Sequence, residues 1–240
     1  MSSGVASPEW DDRRIRDLLT AVRLNSYLQA SGGNLRDALR LYEWNMLAAA
    51  AVMVTTGMIE VIVRNALDAR MVEWSMSLGK PSWFDVAPLD WRGRDDIAKA
   101  RWRATNRGRA PEQHGKVIAE LSFGFWRYLL SQRYHASMWV PSLHRAFPGG
   151  SQDIRVRRRR VESHLANLTL VRNRAAHHEP IHRRNLLADL RAAVELATWI
   201  DPDAGAWVVA NSTLSKVFGQ HPVATVAAAS VSQPHVTAGP

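Results

Sequence analysis

Apolar positions recur along the chain at spacings of three and four, and no alternating run persists long enough for a strand, which predicts an all-α helical bundle. A first helix is expected from about Pro8 to Leu28, capped by Ser7, with Glu9, Asp11 and Asp12 in its first turn. Ile15, Leu18, Leu19 and Val22 mark its apolar face, and Ser31-Gly32-Gly33 ends it. A second pattern runs from Asn34 to about Leu78, long enough to expect a break at Thr55-Thr56-Gly57. Leu47 to Val54 is apolar all round, which suits a helix enclosed by others. A loop with aromatic anchors follows at 79–89, then helices at about 90–104 and 111–121 joined by the basic turn 106–111. Gly124 interrupts an apolar segment, Phe123 to Leu130, and an irregular connection leads to a helix from Gln152 or Asp153 to Ala176. Val156, Val161, Leu165, Leu168 and Val171 form the apolar stripe of that helix. Pro180 breaks the pattern, and helices from Asn185 to Ile200 and from Asp201-Pro202-Asp203 to Phe218 complete it. Residues 8–218 are thus expected to form a single all-α domain. Residues 219–240, without helical period, are expected to be a disordered tail.

Composition adds a sign to this outline. The 240 residues carry a formal charge of +9, which favours a polyanionic partner such as nucleic acid or an anionic surface. The absence of cysteine excludes disulfides, thiolate ligands and a cysteine nucleophile. Residues 1–9 lack the basic and apolar regions of a signal peptide. The stretch from Met46 to Ile59 contains two threonines and a glycine and then meets Glu60, short of the roughly 18 to 20 apolar residues of a span. A buried helix, no membrane and a cytoplasmic location are the expectation.

Candidate chemistry concentrates in Arg172-Asn173-Arg174-Ala175-Ala176-His177-His178-Glu179-Pro180-Ile181. Asn173 and His177 are four apart on one helical face, so the amide can orient the imidazole. Arg172 and His177 are five apart, about 140° round the axis, and do not converge in an intact isolated helix. Loosening near Pro180, a bent arginine, or a second copy across a two-fold axis would bring them together. A histidine titrating near neutrality and an arginine that clamps phosphate can transfer a phosphoryl group without metal, using the 2′-hydroxyl of RNA as nucleophile. Charge at a helix C-terminus can equally be plain dipole compensation. A metal site from His177, His178, Glu179 and His182 is disfavoured because Pro180 breaks the spacing between the last two histidines. The run Arg157 to Arg160 wraps its helix and reads as a solvated or phosphate-contacting face. Glu60 and Arg64, four apart, are placed to pair.

The stretch from Arg172 to Ile181 resembles the R-N-x-x-x-H-H-E-P-I signature of the Abi-like (abortive infection) proteins, members of the HEPN superfamily with its R-x4-6-H motif. Leu41-Tyr42-Glu43-Trp44-Asn45 resembles the family's L-Y-x-W-N segment. Glu60 to Ala66 resembles its E-x-x-x-R-N-A element, and Leu121 to Trp126 its L-S-F-G-F-W element, all in the expected order. The resemblance implies a HEPN-like bundle dimerising about the motif helices, metal-independent endoribonuclease action leaving a 2′,3′-cyclic phosphate, and a toxin-like role in antiphage defence. By position it implies Arg172 and His177 as the catalytic pair, with Asn173 beside them. Arg174, His178, Arg158, Arg64, Asn65 and Glu60 are the candidate substrate contacts. No cofactor is implied; RNA, a second copy and an antitoxin of protein or RNA are the expected partners. A non-catalytic RNA-binding module, or a helical interaction protein whose cluster only caps a helix, stands as the alternative.

Overall fold

The computed structural model describes residues 10–222, and among these there is no strand. The tail expected at 219–240 and the proposed cap Ser7 thus lie largely or wholly outside the described residues. The described residues form eleven α-helices: α1 (Asp12–Leu19), α2 (Ala21–Ala30), α3 (Leu35–Ser77), α4 (Trp83–Val86), α5 (Trp91–Ala104), α6 (His114–Glu120), α7 (Phe123–Tyr128), α8 (Ile154–Ala176), α9 (Leu186–Ile200), α10 (Pro202–Asn211) and α11 (Leu214–Gly219). Short 3-10 and π-helical turns fill the connection from Gln132 to Ala146.

Local chemistry sets most helix starts. Asp11, Asn34, Asp90, Asp153, Asn185 and Asp201 each accept a hydrogen bond from a backbone N–H one turn into the following helix. The single first helix expected from Pro8 to Leu28 is instead two. Thr20 sits at φ 71°, outside any helical conformation, and its hydroxyl caps α2. Leu18 and Val22, expected on an apolar face, are exposed at this joint. The last predicted helix is likewise split, between Asn211 and Leu214.

The break expected at Thr55-Thr56-Gly57 is absent, and α3 runs unbroken for 43 residues. The Thr55 and Thr56 hydroxyls donate to the carbonyls of Ala51 and Val52 at 2.8 Å, so they are satisfied without leaving the helix. Thr55 also bonds Ser212 at 2.8 Å, tying α3 to the α10–α11 joint. Continuity changes the membrane arithmetic too: an 18-residue window of α3 reaches a mean hydropathy of 2.1, enough by length and composition to cross a membrane. Within the fold 44% of that window is buried.

α3 and α8 form an antiparallel spine through two core clusters. Ile59, Val63 and Leu67 meet Val161, Leu165 and Leu168 in one cluster, which the aromatics Trp83, Phe125, Trp126 and Trp139 fill out. Leu41, Trp44, Ala48 and Val52 meet Val171 and Ala175 in the other, closed by α2, Ile181, Leu186 and Leu214. α9 contributes to both. The arginine run on α8 does not behave as one solvated face. Arg157 donates to the carbonyls of His144, Gly150 and Ser151, and Arg158, 4% exposed, donates to Leu130 O, Gln132 Oε1 and Glu162. These carbonyls lie in the irregular connection, outside the long helices, and the two buried guanidiniums donate to them. Only Arg155, Arg159 and Arg160 face outward, as does Val156, expected in the apolar stripe.

α3 is not enclosed on every side either. Leu47, Ala50, Val54, Gly57 and Val61 are exposed at alternating spacings of three and four, a straight apolar stripe along its outer face. A Cβ added at Gly57 would meet nothing within 4 Å.

Candidate active site

The motif occupies the last turns of α8 and the turn that follows. The helix stays regular to Ala176, and His177 is its cap. Glu179 N donates to Arg174 O at 2.8 Å and His178 N to Ala175 O at 3.1 Å, the paired bonds of a Schellman turn. That turn needs a left-handed residue, and here His178 fills the place usual for glycine, at φ 55°. Arg174 and Glu179 close the turn with an exposed ion pair at 3.1 Å.

Beyond Pro180 the chain dives inward. Ile181 is buried, and its N–H donates to Asn45 Oδ1 at 2.7 Å in the core. His182 is buried as well, hydrogen-bonded to Ser26 Oγ at 2.8 Å and packed on the Tyr27 ring. Burial, reinforced by Arg183 and His221, pushes the His182 pKa down to about 4. His182 therefore leaves the exposed cluster of His177, His178 and Glu179, which removes it from the metal set considered from the sequence. Trp44 donates to Val217 O at 2.7 Å, tying α3 to α11. Asn45 thus sets where the motif turn sits, and Trp44 braces the neighbouring helix. The sequence carried their signal only as the L-Y-x-W-N likeness.

The expected Asn173–His177 hydrogen bond is not formed. Asn173 Oδ1 accepts from Arg172 Nη1 at 3.3 Å, and the imidazole of His177 is exposed. With the helix intact, Arg172 lies about 140° round the axis from His177, so one chain does not converge the pair. Asn173, Leu170 and His177 share the exposed face of α8, whereas Arg172 is half-buried on the flank. Arg158, taken as a substrate contact, is the buried brace described above.

Glu60, Arg64 and Asn65 stand apart from this turn. They begin fifteen residues beyond Asn45, about 22 Å further along α3 at 1.5 Å per residue. Glu60 makes no ion pair with Arg64, which instead donates to Asn65 Oδ1 at 3.3 Å. Arg64 and Asn65 do lie on the turn after Val61, continuing the outward stripe of α3.

A groove of about 480 Å³ opens beside the motif helix, walled by Glu162, Thr169 and Asn173 of α8 and by Arg92, Arg127 and Tyr128 opposite. Arg92 lies over the Tyr128 ring at 4.9 Å, and neither Arg92 nor Arg127 forms an ion pair. Gly124 opens the wall of this groove inside α7 and does not interrupt the helix. Compared with protein-family models, with curated proteins and with solved structures, the chain matches none.

Proposed function

We propose that the protein is a metal-independent endoribonuclease of the HEPN type, acting as a homodimer, with a toxin-like role in antiphage defence. The single observation behind it is the placement of the motif. Arg172, Asn173 and His177 stand at the exposed end of α8, on a turn anchored by Asn45 and His182, beside a groove whose arginines have no carboxylate partner. Two arginines free of ion pairs suit the phosphates of a single strand. His177 acts as general base on the 2′-hydroxyl, whose oxygen bonds to phosphorus as the bond to the next nucleotide's 5′-oxygen breaks; the protonated imidazole returns the proton to that leaving oxygen, and Arg172 stabilises the charge gathering on the phosphate. The separation of Arg172 from His177 within one chain supports a site completed by two chains. That pairing runs through the exposed end of α8, where Leu170, Asn173 and His177 share one face; the α3 stripe lies on the far side of α3 from α8 and is a separate surface.

The test is cleavage of RNA in excess EDTA by the wild type, by Arg172→Ala and by His177→Ala, and by the two variants mixed. A shared site predicts that each variant alone is inactive and that mixed dimers regain part of the activity, with 2′,3′-cyclic phosphate ends. Cleavage that survives His177→Ala, or products without the cyclic end, would refute the mechanism. The exposure of His177 without a hydrogen-bond partner favours a second reading, an RNA-binding module that does not cut. Salt-dependent RNA binding with no cleavage of any RNA would establish that one instead.

A further inference from the structure

At its other end α8 builds a second polar site. Arg155 and Arg159, one turn apart, are exposed and have no carboxylate partner, and Arg158 lies buried between them. Across from them the connection 132–135 folds back, so that Gln132, His135, Arg155, Arg158 and Arg159 enclose a pocket of about 250 Å³. Two buried nitrogens in its walls, Arg158 Nε and His135 Nδ1, meet no hydrogen-bond partner. Leaving a buried donor unmet costs about 1–3 kcal/mol, more when it is charged, so the Arg158 Nε–H calls for an acceptor; His135 Nδ1 calls for the same acceptor when it carries the ring proton.

The local carboxylates are already committed. Glu162 accepts from Arg158 Nη1 at 3.1 Å, and Asp153 accepts from the backbone N–H groups of Arg155 and Val156. Asp153 still exerts a coulombic pull on Arg155 and Arg159, and Glu162 pairs with Arg158, but neither carboxylate lines the pocket, so three guanidiniums and an imidazole face two carboxylates and the balance stays positive. Arginine forks match the tetrahedral oxygens of a phosphate group. A terminal phosphate, with its higher charge and single substituent, can enter so small a pocket from its mouth, whereas a diester in mid-strand has to continue on both sides.

We infer that this pocket binds a terminal phosphate group, with Arg155 and Arg159 clamping it at the mouth and Arg158 Nε–H and His135 meeting its inner oxygens. The site is separate from the proposed cleavage site: Arg159 and His177 are eighteen residues apart on one helix, about 27 Å at 1.5 Å per residue. It stands whether or not His177 cuts RNA.

The test is isothermal titration of the full chain at pH 7 with inorganic phosphate, with a nucleoside 5′-monophosphate and with the bare nucleoside, alongside Arg155→Gln/Arg159→Gln. One saturable site with Kd below about 1 mM is expected for the phosphates. The double variant should weaken it at least tenfold while its unliganded unfolding midpoint stays put, since both side chains are exposed. The Arg158 Nε–H resonance should shift on adding phosphate, a readout that Arg172 and the groove do not influence. Tighter binding of the monophosphate identifies an organic phosphomonoester as the ligand, and equal binding identifies phosphate itself. No saturable binding, equal affinity in the double variant, or equal binding of the bare nucleoside would overturn the proposal.

Discussion

His182 makes the anchoring of the motif turn measurable by pH. Its ring is buried between Ser26 and Tyr27, and its pKa is pushed from 6.5 down to about 4, by burial first and then by Arg183 and His221. The folded chain thus keeps a neutral ring where the unfolded chain binds a proton. A histidine with a depressed folded pKa contributes stability that is complete above the unfolded pKa. That contribution is lost as pH falls from about 6.5 through about 4. At about 1.4 kcal/mol per pH unit, the whole loss approaches roughly 3 kcal/mol. His135 and His164 are also lowered by burial and so also cost stability on acidification, and total stability alone does not isolate the effect. The informative quantity is the difference between wild type and His182→Gln, which keeps a polar contact to Ser26 and cannot titrate. Urea unfolding at half-unit steps from pH 4 to 7.5 should show the wild type losing its advantage as the pH drops. If cleavage is measured in parallel, loss of activity should track the loosening of this anchor. Parallel stability curves for the two proteins between pH 4 and 6.5 would refute the reasoning.

Asn45→Ala removes the acceptor of the buried Ile181 N–H and should cost about 1–3 kcal/mol in urea unfolding, with a further drop in any RNA cleavage. His178→Gly relieves a left-handed histidine and should stabilise the fold by about 1 kcal/mol, seen as a raised thermal midpoint. Gly205→Ala drives a Cβ into the Thr198 side chain where α10 crosses α9 and should cost about 1–3 kcal/mol. Thr198→Ala in the same chain should recover part of that, since it removes the hydroxyl clash but keeps Cβ and Cα at 3.0 and 3.1 Å, a non-additivity that a double-mutant cycle reads directly. Val54→Glu places a charge in the exposed α3 stripe; light scattering should show a monomer with unchanged helicity if two chains pair there, and no change in mass if they do not.

What the sequence determined by itself was the local chemistry. Helical periodicity and the caps at Asp90, Asp153, Asn185 and Asp201 depend on neighbours within one turn, so the class of fold and the starts of α5, α8, α9 and α10 were legible. The angular divergence of Arg172 and His177 was legible for the same reason, being a property of any intact helix. Only the tertiary structure decided the rest. Thr55, Thr56 and Gly57 look like a break, yet their hydroxyls find carbonyls one turn back and α3 continues. Arg157 and Arg158 look solvated but are buried, because the carbonyls they satisfy belong to a connection up to 28 residues away. His182 and Asn45 became supports of the motif turn through contacts spanning 156 and 136 residues. Spacing along one helix cannot encode such partners; they exist only once α2, α3 and α8 share a core.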